Sequence, residues 1–508
     1  MLRFSPNPNL AHLIHWFEWE GDAFRQASEK DKPVMLFLSA FWCRYCQRMD
    51  EGAFSERENM ALLNAYFIAL RVENAIRPDI DARYNLNGWP TIAFFTPAGE
   101  LLAAVNYLDA EEFQELLLNV YLAYQNKAAE NRVTKSVEER EDEAAQQTEP
   151  ERSPASTLTE ITNTIMSIAD RVHGGYGNGQ KFIHPEVNDF LLSRYDATQD
   201  RIYLDHVCLT LDRMREGAIH DIEQGGYFRT TTGADWSQPH REKLLAEQTG
   251  LLSNCVSAFR VTGRGDYARM SEEIIDYVNA KLFDPASGAL FGCEDFLRHE
   301  TSAGVSVDEF FTIIDRCIYT DANALAASAY LKAAAILDRA ACKERALNVL
   351  EFLWSQCRSA TDGMYHYHDG EPHLSGLLID QASMGNGLVD AYLASRDSKH
   401  LERARELAAF ILARLKNPSG GYFDLCAGDN ALRRYRLTGI EQNGATASFF
   451  LKLARAAGEP KYHDAAHWAL RAFSGDFVSY GIHAASFGKA LGEWISRVGK
   501  TWNRGVLE

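Results

Sequence analysis

Two cysteines three positions apart, Cys43 and Cys46, form the pattern in this chain that most directly predicts chemistry. They follow an apolar run, residues 34–38, which predicts a buried strand, and they open a segment typical of a helix. The backbone N–H groups and the positive dipole end at a helix start stabilise a thiolate, so Cys43 is the predicted nucleophile. Cys46 is then placed to attack a mixed disulfide at Cys43 and release the product.

Zinc binding is the alternative use of such a cysteine pair. It requires a second Cys or His pair at metal-ligand spacing, and the next cysteine, Cys208, is far along the chain without a close partner. Dithiol–disulfide chemistry is therefore favoured. Trp42 and Tyr45 are expected to shape the surface around the sulfurs, and the positive charge of Arg44 is expected to favour the thiolate further.

A second motif, Gly88-Trp89-Pro90-Thr91, precedes another apolar strand, residues 92–95, and a turn with glycine. The order of strand, C-x-x-C, helix, strand, W-P-T and strand resembles that of thioredoxin-like proteins. In those proteins the proline before the last of these strands is cis and lies against the cysteine pair. The resemblance implies that the bond between Trp89 and Pro90 is cis, an isomer that only X–Pro bonds adopt at modest cost.

Composition limits the possible functions. A chain of 508 residues is expected to contain more than one core, and its 46% hydrophobic and 24% charged residues are typical of a globular protein. A net charge of −18 argues against nucleic-acid binding. No signal peptide or membrane span is predicted. The nine cysteines are mostly scattered in apolar surroundings, so we expect reduced, buried thiols and a cytoplasmic location.

The chain is predicted to be a multidomain protein. Residues 1–126 alternate helices and strands and are expected to form an α/β thioredoxin-like domain. Residues 127–157 are acidic and poor in apolar side chains, which predicts a flexible linker. Residues 158–508 are predicted to be all-α, with pairs of helices separated by glycine-aromatic loops such as Gly225-Gly226-Tyr227. Six such hairpins would close into an (α/α)6 toroid, and an open solenoid is the alternative.

Several motifs together resemble the spermatogenesis-associated protein 20-like, thioredoxin domain-containing family. They are His15-Trp16-Phe17-Glu18-Trp19, Asp31-Lys32-Pro33, Cys43-Arg44-Tyr45-Cys46, Gly88-Trp89-Pro90 and Gly225-Gly226-Tyr227-Phe228-Arg229. The resemblance implies a thioredoxin-like domain fused to a six-hairpin barrel similar to glycosidases and N-acylglucosamine epimerases. Two residues depart from the related patterns. Phe37 stands where thioredoxins keep a buried acid, and Glu247 replaces the family's usual Asp.

The helical region contains polar residues at helix starts that could act on a sugar. The candidates are Asp221, Arg229, Asp235, Trp236, His240, Glu242, Asp380 and Glu441. Paired carboxylates could catalyse glycoside chemistry, a His beside an acid could catalyse epimerisation, and aromatic residues of the loops could stack on sugar rings. The alternative is that these residues are helix caps and core. His366 and His368 are interpreted as solvated loop residues, and we predict no metal and no cofactor.

Three functional hypotheses follow. The first is a thiol–disulfide oxidoreductase that exchanges with a client protein or a reductase through Cys43, joined to a barrel that binds a carbohydrate-like ligand or a client. The second is a glycosidase- or epimerase-like enzyme with a regulatory thioredoxin-like domain. The third treats both parts as binding surfaces without catalysis.

Overall fold

The computed structural model describes residues 2–19, 23–133, 153–300, 306–426, 436–473 and 477–502. Internal contacts divide the chain into two compact units. The first comprises Met1–Gln147 with Arg298–Phe311, and the second comprises Thr148–Leu297 with Thr312–Glu508.

The first unit contains a five-stranded mixed sheet with the strand order β1-β3-β2-β4-β5. The strands are β1 (Trp16–Phe17), β2 (Val34–Ser39), β3 (Ile68–Glu73), β4 (Thr91–Phe95) and β5 (Leu101–Val105). Strand β2 runs parallel to β3 and antiparallel to β4. Every residue of these three strands is buried, which explains why the sequence shows continuous apolar runs rather than alternation.

Five helices accompany this sheet. They are α1 (Ala23–Lys30), α2 (Arg44–Glu51), α3 (Arg57–Tyr66), α4 (Pro78–Tyr84) and α5 (Ala110–Val133). The α/β alternation predicted for this part of the chain is therefore confirmed. Helix α5 continues through Val133 and the next helix begins at Pro154, so both ends of the predicted linker, residues 127–157, are helical instead. The acidic stretch 134–152 lies outside the described residues.

The second unit is largely helical. Its helices are α6 (Pro154–Ser167), α7 (Pro185–Thr198), α8 (Arg201–Glu216), α9 (Leu245–Thr262), α10 (Gly265–Tyr277), α11 (Thr320–Ile336), α12 (Ala340–Gln356), α13 (Leu378–Ser395), α14 (Ser398–Phe410), α15 (Ile440–Ala457), α16 (Lys461–Arg471) and α17 (Ala485–Trp502). Helices α10 and α14 each end in a π-helical turn, and a 3-10 segment, Phe477–Ala484, precedes α17.

These helices close into a ring. The inner helices α7, α9, α11, α13, α15 and α17 each contact the next, and α17 contacts α7. The outer helices α8, α10, α12, α14 and α16 each pack on the inner helix before them, and α6 completes the outer layer against α17. The predicted (α/α)6 toroid is confirmed, and the open solenoid is excluded. Because inner and outer helices alternate along the chain, all inner helices run in one direction and begin at one end.

The glycine-aromatic loops share one turn. In three of them a glycine N–H donates to the carbonyl oxygen of an aspartate four residues earlier, as between Gly225 and Asp221 at 2.8 Å. Gly225 has a φ of 81°, a left-handed conformation that glycine adopts without steric cost. The next residues, Gly226 and Tyr227, turn the chain toward the inner helix, which explains why this motif marks each repeat.

Four inner helices carry a buried amide side chain that holds the preceding loop. Each amide accepts a hydrogen bond from one backbone N–H of the loop and donates one to the carbonyl oxygen of the same residue. The pairs are Gln248 with Tyr227, Asn323 with Leu290, Gln381 with Met364, and Asn443 with Tyr422. These amides therefore fix the start of each inner helix.

The connections between these helices also contain strands, which the sequence does not predict; residues 298–300 and 306–311 of two of these strands belong to the first unit. The strands are β6 (Lys181–Phe182), β7 (Thr230–Thr231), β8 (Pro239–His240), β9 (Lys243–Leu244), β10 (Cys293–Glu300), β11 (Ser306–Asp315), β12 (Ile318–Tyr319), β13 (Arg358–Ser359), β14 (Gly363–His368) and β15 (Pro372–Ser375). Strand β14 pairs with β12, β13 and β15. The second unit is thus mainly, not entirely, α-helical.

Candidate functional site

The two cysteines lie at the start of α2, as the sequence predicts. Cys43 is the N-cap residue, and its Sγ accepts a hydrogen bond from the backbone N–H of Cys46 at 3.1 Å. The two side chains form a disulfide, and their Cα atoms are 5.2 Å apart. An N–H group directed at Sγ stabilises negative charge on that sulfur, so the geometry favours Cys43 as the thiolate.

Both sulfur-bearing residues are close to the surface but largely covered. Cys43 is 5% exposed and Cys46 is 3% exposed, so both residues are buried to a similar extent. Half-buried Trp42 and Trp89 lie beside the pair, with ring centroids 5.2 Å apart. Tyr45 is 49% exposed, and its ring is a candidate contact for a partner. A partner that reaches the cysteine pair is therefore expected to meet aromatic side chains first.

The loop before β4 has the predicted conformation. The peptide bond between Trp89 and Pro90 is cis. The indole Nε1 of Trp89 donates to Asp81 at 2.8 Å, and the amide of Asn106 donates to the carbonyl oxygen of Pro90 at 3.0 Å. Because Trp89 also contacts Trp42, these hydrogen bonds position the loop beside the cysteine pair.

Two charged side chains of α2 have ion-pair partners that the sequence does not predict. The Arg44 guanidinium is 3.5 Å from the Glu51 carboxylate, so part of its charge is neutralised along the helix. Asp50, one turn after Cys46, is buried and forms a bidentate pair with Arg71, with both N–O distances 2.8 Å. Burial raises the pKa of Asp50, and Arg71 opposes that rise.

The pair of Asp50 and Arg71 occupies the layer where a thioredoxin keeps its buried acid. Arg71 on β3 lies opposite Phe37 on β2, and its guanidinium carbon is 4.9 Å from the Phe37 ring centroid. Residue 37 is thus not an acid, and a buried ion pair between α2 and β3 lies next to it. The sequence gives no indication of this pairing, because Asp50 and Arg71 are 21 positions apart.

Three of the predicted barrel residues form ion pairs that stabilise loops. Asp221 Oδ2 lies 2.7 Å from the Nζ of fully buried Lys243, and its other oxygen caps the turn that follows. The Arg229 Nε is 2.8 Å from a Glu242 carboxylate oxygen. These partners hold the loop before α9.

Three other predicted barrel residues are either exposed or fully buried. Asp235 is exposed, and its carboxylate accepts hydrogen bonds from the backbone and hydroxyl of Ser237. His240 is also exposed. Trp236 is 0% exposed and donates its Nε1–H to the carbonyl oxygen of His173 at 2.7 Å. The prediction that Trp236 stacks on a sugar is wrong, and the same holds for the fully buried rings of Tyr227 and Tyr422.

The beginnings of the inner helices share a second feature. Five of them carry a carboxylate in the first turn, at Glu186, Glu247, Asp321, Asp380 and Glu441. Because the inner helices run in one direction, these acids lie at one end of the toroid. Carboxylates are favoured there by the positive end of each helix dipole.

Three of these carboxylates are paired with histidines. The pairs are His184 with Glu186 at 3.1 Å, His366 with Asp380 at 3.0 Å, and His483 with Glu441 at 2.7 Å. Asp380 and Glu441 were predicted from the sequence as candidate site residues, whereas the pairing of Glu186 with His184 was not. The sequence signal that could have identified Glu186 is an acidic residue one or two positions before the buried amide of an inner helix.

Glu247 is the carboxyl group with the most unusual surroundings in this set. Its Oε2 is sealed from solvent and has no hydrogen-bond partner among the described residues. Burial and, secondarily, the charge of Glu186 raise the pKa of Glu247 to about 7. Glu247 is therefore poised to give or take a proton near neutral pH.

We predict that Glu247→Gln stabilises the second unit at high pH. The folded state holds the Glu247 proton up to about pH 7, whereas the unfolded chain releases it near 4.5. The wild-type protein therefore loses stability as the pH rises from 4.5 to 7, and the neutral amide does not. Above pH 7 we expect a gain of about 1–3 kcal/mol. Thermal unfolding between pH 5 and 9 measures it, with Glu344→Gln on the exposed face of α12 as control. A constant difference across this range would contradict the assignment.

The observed position of His366 differs most from the position that the sequence predicts. It lies on β14 rather than in a solvated loop, is buried, and places Nδ1 3.0 Å and 3.1 Å from the two carboxylate oxygens of Asp380. Burial raises the pKa of fully buried Asp380 to about 6, and the nearby His366 opposes the rise. Asp321 completes a group whose candidate metal-ligand atoms lie within 4.8 Å of one another.

Comparisons with known proteins agree with this architecture. Residues 7–147 match the family model Thioredox_DsbH, described as a protein of unknown function, DUF255. The N-terminal unit is thioredoxin-like. Over 102 residues, 18% of this chain and 17% of the relative, the sequence is 33% identical to the thiol:disulfide interchange protein DsbD of Yersinia pestis. Among the described residues, no helix combines the length and apolar composition that a membrane crossing requires.

The predicted family resemblance is also confirmed. Over 318 residues the chain is 28% identical to spermatogenesis-associated protein 20 of Mus musculus, an alignment that covers 58% of this chain and 40% of the mouse protein. The toroid is similar to a sugar epimerase from a ruminal bacterium, with a TM-score of 0.54 and 11% identity over 67% of this chain and 99% of that one. At this identity the likeness shows the fold alone. A thioredoxin-like unit with a C-x-x-C disulfide is thus fused to a barrel that shares the fold of this solved epimerase.

Proposed function

We propose that the thioredoxin-like unit is a thiol–disulfide oxidoreductase in which Cys43 is the nucleophile and Cys46 is the resolving cysteine. The observation that carries this proposal is the placement of Cys43 Sγ at the start of α2, where it accepts the N–H of Cys46 and pairs with the Cys46 sulfur. The helix start stabilises the Cys43 thiolate, which is the reactive form.

The reaction transfers two electrons. The Cys43 thiolate attacks one sulfur of a client disulfide, a mixed disulfide forms, and the other client sulfur leaves as a thiolate that takes up a proton. Cys46 then loses its proton and attacks Cys43 Sγ, which releases the second client thiolate. The client ends as a dithiol and the chain as the Cys43–Cys46 disulfide. A dithiol reductase regenerates the reduced pair by the reverse exchange.

The proposed partners are a disulfide-containing client protein and a dithiol reductase, both acting at Cys43. The similarity of this unit to a thiol:disulfide interchange protein supports this choice. We also propose a cytoplasmic location. It is supported by Cys208, Cys255, Cys342 and Cys357, which the structure shows as free thiols and of which three are buried, as expected in a reducing compartment.

We propose as a second function that the toroid acts on a carbohydrate. The observation that favours it is Glu247, whose Oε2 is sealed from solvent and whose pKa is raised to about 7, at the end of the ring where the inner helices begin. Such a group can serve as a general acid or base, and the likeness in fold to a solved sugar epimerase supports a sugar as its substrate.

Exchange with glutathione disulfide tests the oxidoreductase proposal on the full chain. We expect reduced wild-type protein to form the Cys43–Cys46 disulfide and release two glutathiones, whereas Cys46→Ser retains one glutathione on Cys43. Cys43→Ser should react at least about tenfold more slowly at pH 7, since the stabilised thiolate is lost. Mass spectrometry of intact protein measures each product. The matched control is Cys208→Ser, which should behave as wild type. Equal rates in wild type and Cys43→Ser would overturn the proposal.

A further inference from the structure

The group of Asp321, His366 and Asp380 is built by three elements that are fixed to one another. Helices α11 and α13 are neighbours in the ring and supply the two aspartates from their first turns. Strand β14 contacts both helices and supplies the histidine between them.

The two residues before His366 hold the strand in place. The carbonyl oxygen of Tyr365 accepts a hydrogen bond from Thr320 Oγ1 at 2.6 Å, which joins the strand to α11. The N–H of Met364 donates to Gln381 Oε1 at 2.9 Å, which joins it to α13. These two hydrogen bonds fix the strand backbone to α11 and to α13. The His366 imidazole is therefore held in position, as a preformed ligand requires.

The charges of this group are not balanced by a basic side chain. Three other acids of low exposure are paired with a lysine or arginine: Asp50 with Arg71, Asp170 with Lys181, and Asp221 with Lys243. Among the described residues, Asp321 and Asp380 form no salt bridge with lysine or arginine, and the ion-pair partner of Asp380 is His366. Two carboxylates and one imidazole thus converge within 4.8 Å without a lysine or arginine paired to either carboxylate among the described residues.

We propose that Asp321, His366 and Asp380 bind a divalent first-row metal ion of the Zn²⁺ or Mn²⁺ type. One nitrogen and two carboxylate oxygens within 4.8 Å of one another match the ligands that these ions prefer, whereas Ca²⁺ requires six to eight oxygens. Asp380 and His366 are buried and Asp321 is half-buried, so the open side of the site is at Asp321. Three protein ligands leave a position for water or an oxygen-rich ligand.

Metal titration of the full-length protein tests this inference. The parent protein carries Cys43→Ser and Cys46→Ser, so that a reduced dithiol cannot bind Zn²⁺, and it is freed of metal with a chelator. We expect calorimetry to show one Zn²⁺ or Mn²⁺ per chain. His366→Gln and Asp321→Asn should each weaken binding at least about tenfold, because a ligand is lost.

The control variant is placed on the β14–β15 hairpin, which also carries His366. Asp369 and His373 form an exposed carboxylate–imidazole pair at 2.9 Å, so Asp369→Asn should bind metal as the parent does. Asp321→Asn alters the half-buried side of the site, so it keeps the test valid if His366→Gln fails to fold. Circular dichroism confirms folding. If neither ion binds, or if folded Asp321→Asn binds as tightly as the parent, the inference is wrong and the group shares only a proton.

Discussion

Replacing Arg71 by leucine is expected to lower the free energy of unfolding of the thioredoxin-like unit by about 3–5 kcal/mol. Arg71 makes two hydrogen bonds to Asp50, and both side chains are nearly inaccessible to water. Without the guanidinium, the Asp50 carboxylate must either stay charged in an apolar layer or take up a proton. Hydrogen exchange of the β2 and β3 peptides in increasing urea measures the loss within the full chain.

The double variant Asp50→Leu with Arg71→Leu is the control for this prediction. Removing both charges removes the cost of burying either, so most of the stability should return. If the single variant Arg71→Leu were as stable as wild type, the pair would be solvated rather than buried. If the double variant were as unstable as the single one, the loss would come from the packing of the Arg71 side chain on Phe37 and Trp16.

Replacing Asn323 by leucine is expected to destabilise the toroid by about 2–5 kcal/mol. The Asn323 amide is fully buried, accepts from the N–H of Leu290 and donates to the carbonyl oxygens of Leu290 and Tyr319, each at 2.9 Å. Leucine leaves these backbone groups without partners, and each unsatisfied buried group costs about 1–3 kcal/mol. The shift of the thermal unfolding transition assigned to the second unit measures the effect.

The exposed amide Gln356 at the end of α12 provides the matched comparison. Gln356→Leu removes the same chemical group from an outer helix and should change stability by less than about 0.5 kcal/mol. An equal effect of the two substitutions would mean that the inner amides do not hold the loops. The same test extends to Gln248, Gln381 and Asn443, which make corresponding contacts.

Much of the architecture can be predicted from local sequence. The apolar runs of β2 and β4, the C-x-x-C pair and the W-P-T motif place a buried sheet and a dithiol in the correct order. The repeated glycine loops predict helical hairpins, because glycine adopts the left-handed turn between two helices without steric cost. The short strands were not predicted, because β14 is stabilised by pairing with β12 and β15 rather than by its own composition.

The barrel site was harder to predict because its acids resemble ordinary helix starts. A carboxylate in the first turn is stabilised by the helix dipole whether or not it has a function, so Glu247 and Asp380 do not stand out by position. Their distinction comes from burial and from distant neighbours such as His366, which the chain order alone does not indicate. Trp236 was misassigned for the same reason, since an aromatic residue in a polar loop can be fully buried by remote segments.

The contacts of α17 with α6 and α7 also affect how the protein is made. All five strands of the thioredoxin-like unit come from residues 16–105, so this unit can fold while the ribosome is still translating the rest. The ring, in contrast, cannot close until α17 leaves the exit tunnel, tens of seconds later at about 5–20 residues per second. During that interval the nascent helices expose apolar faces that the closed ring buries.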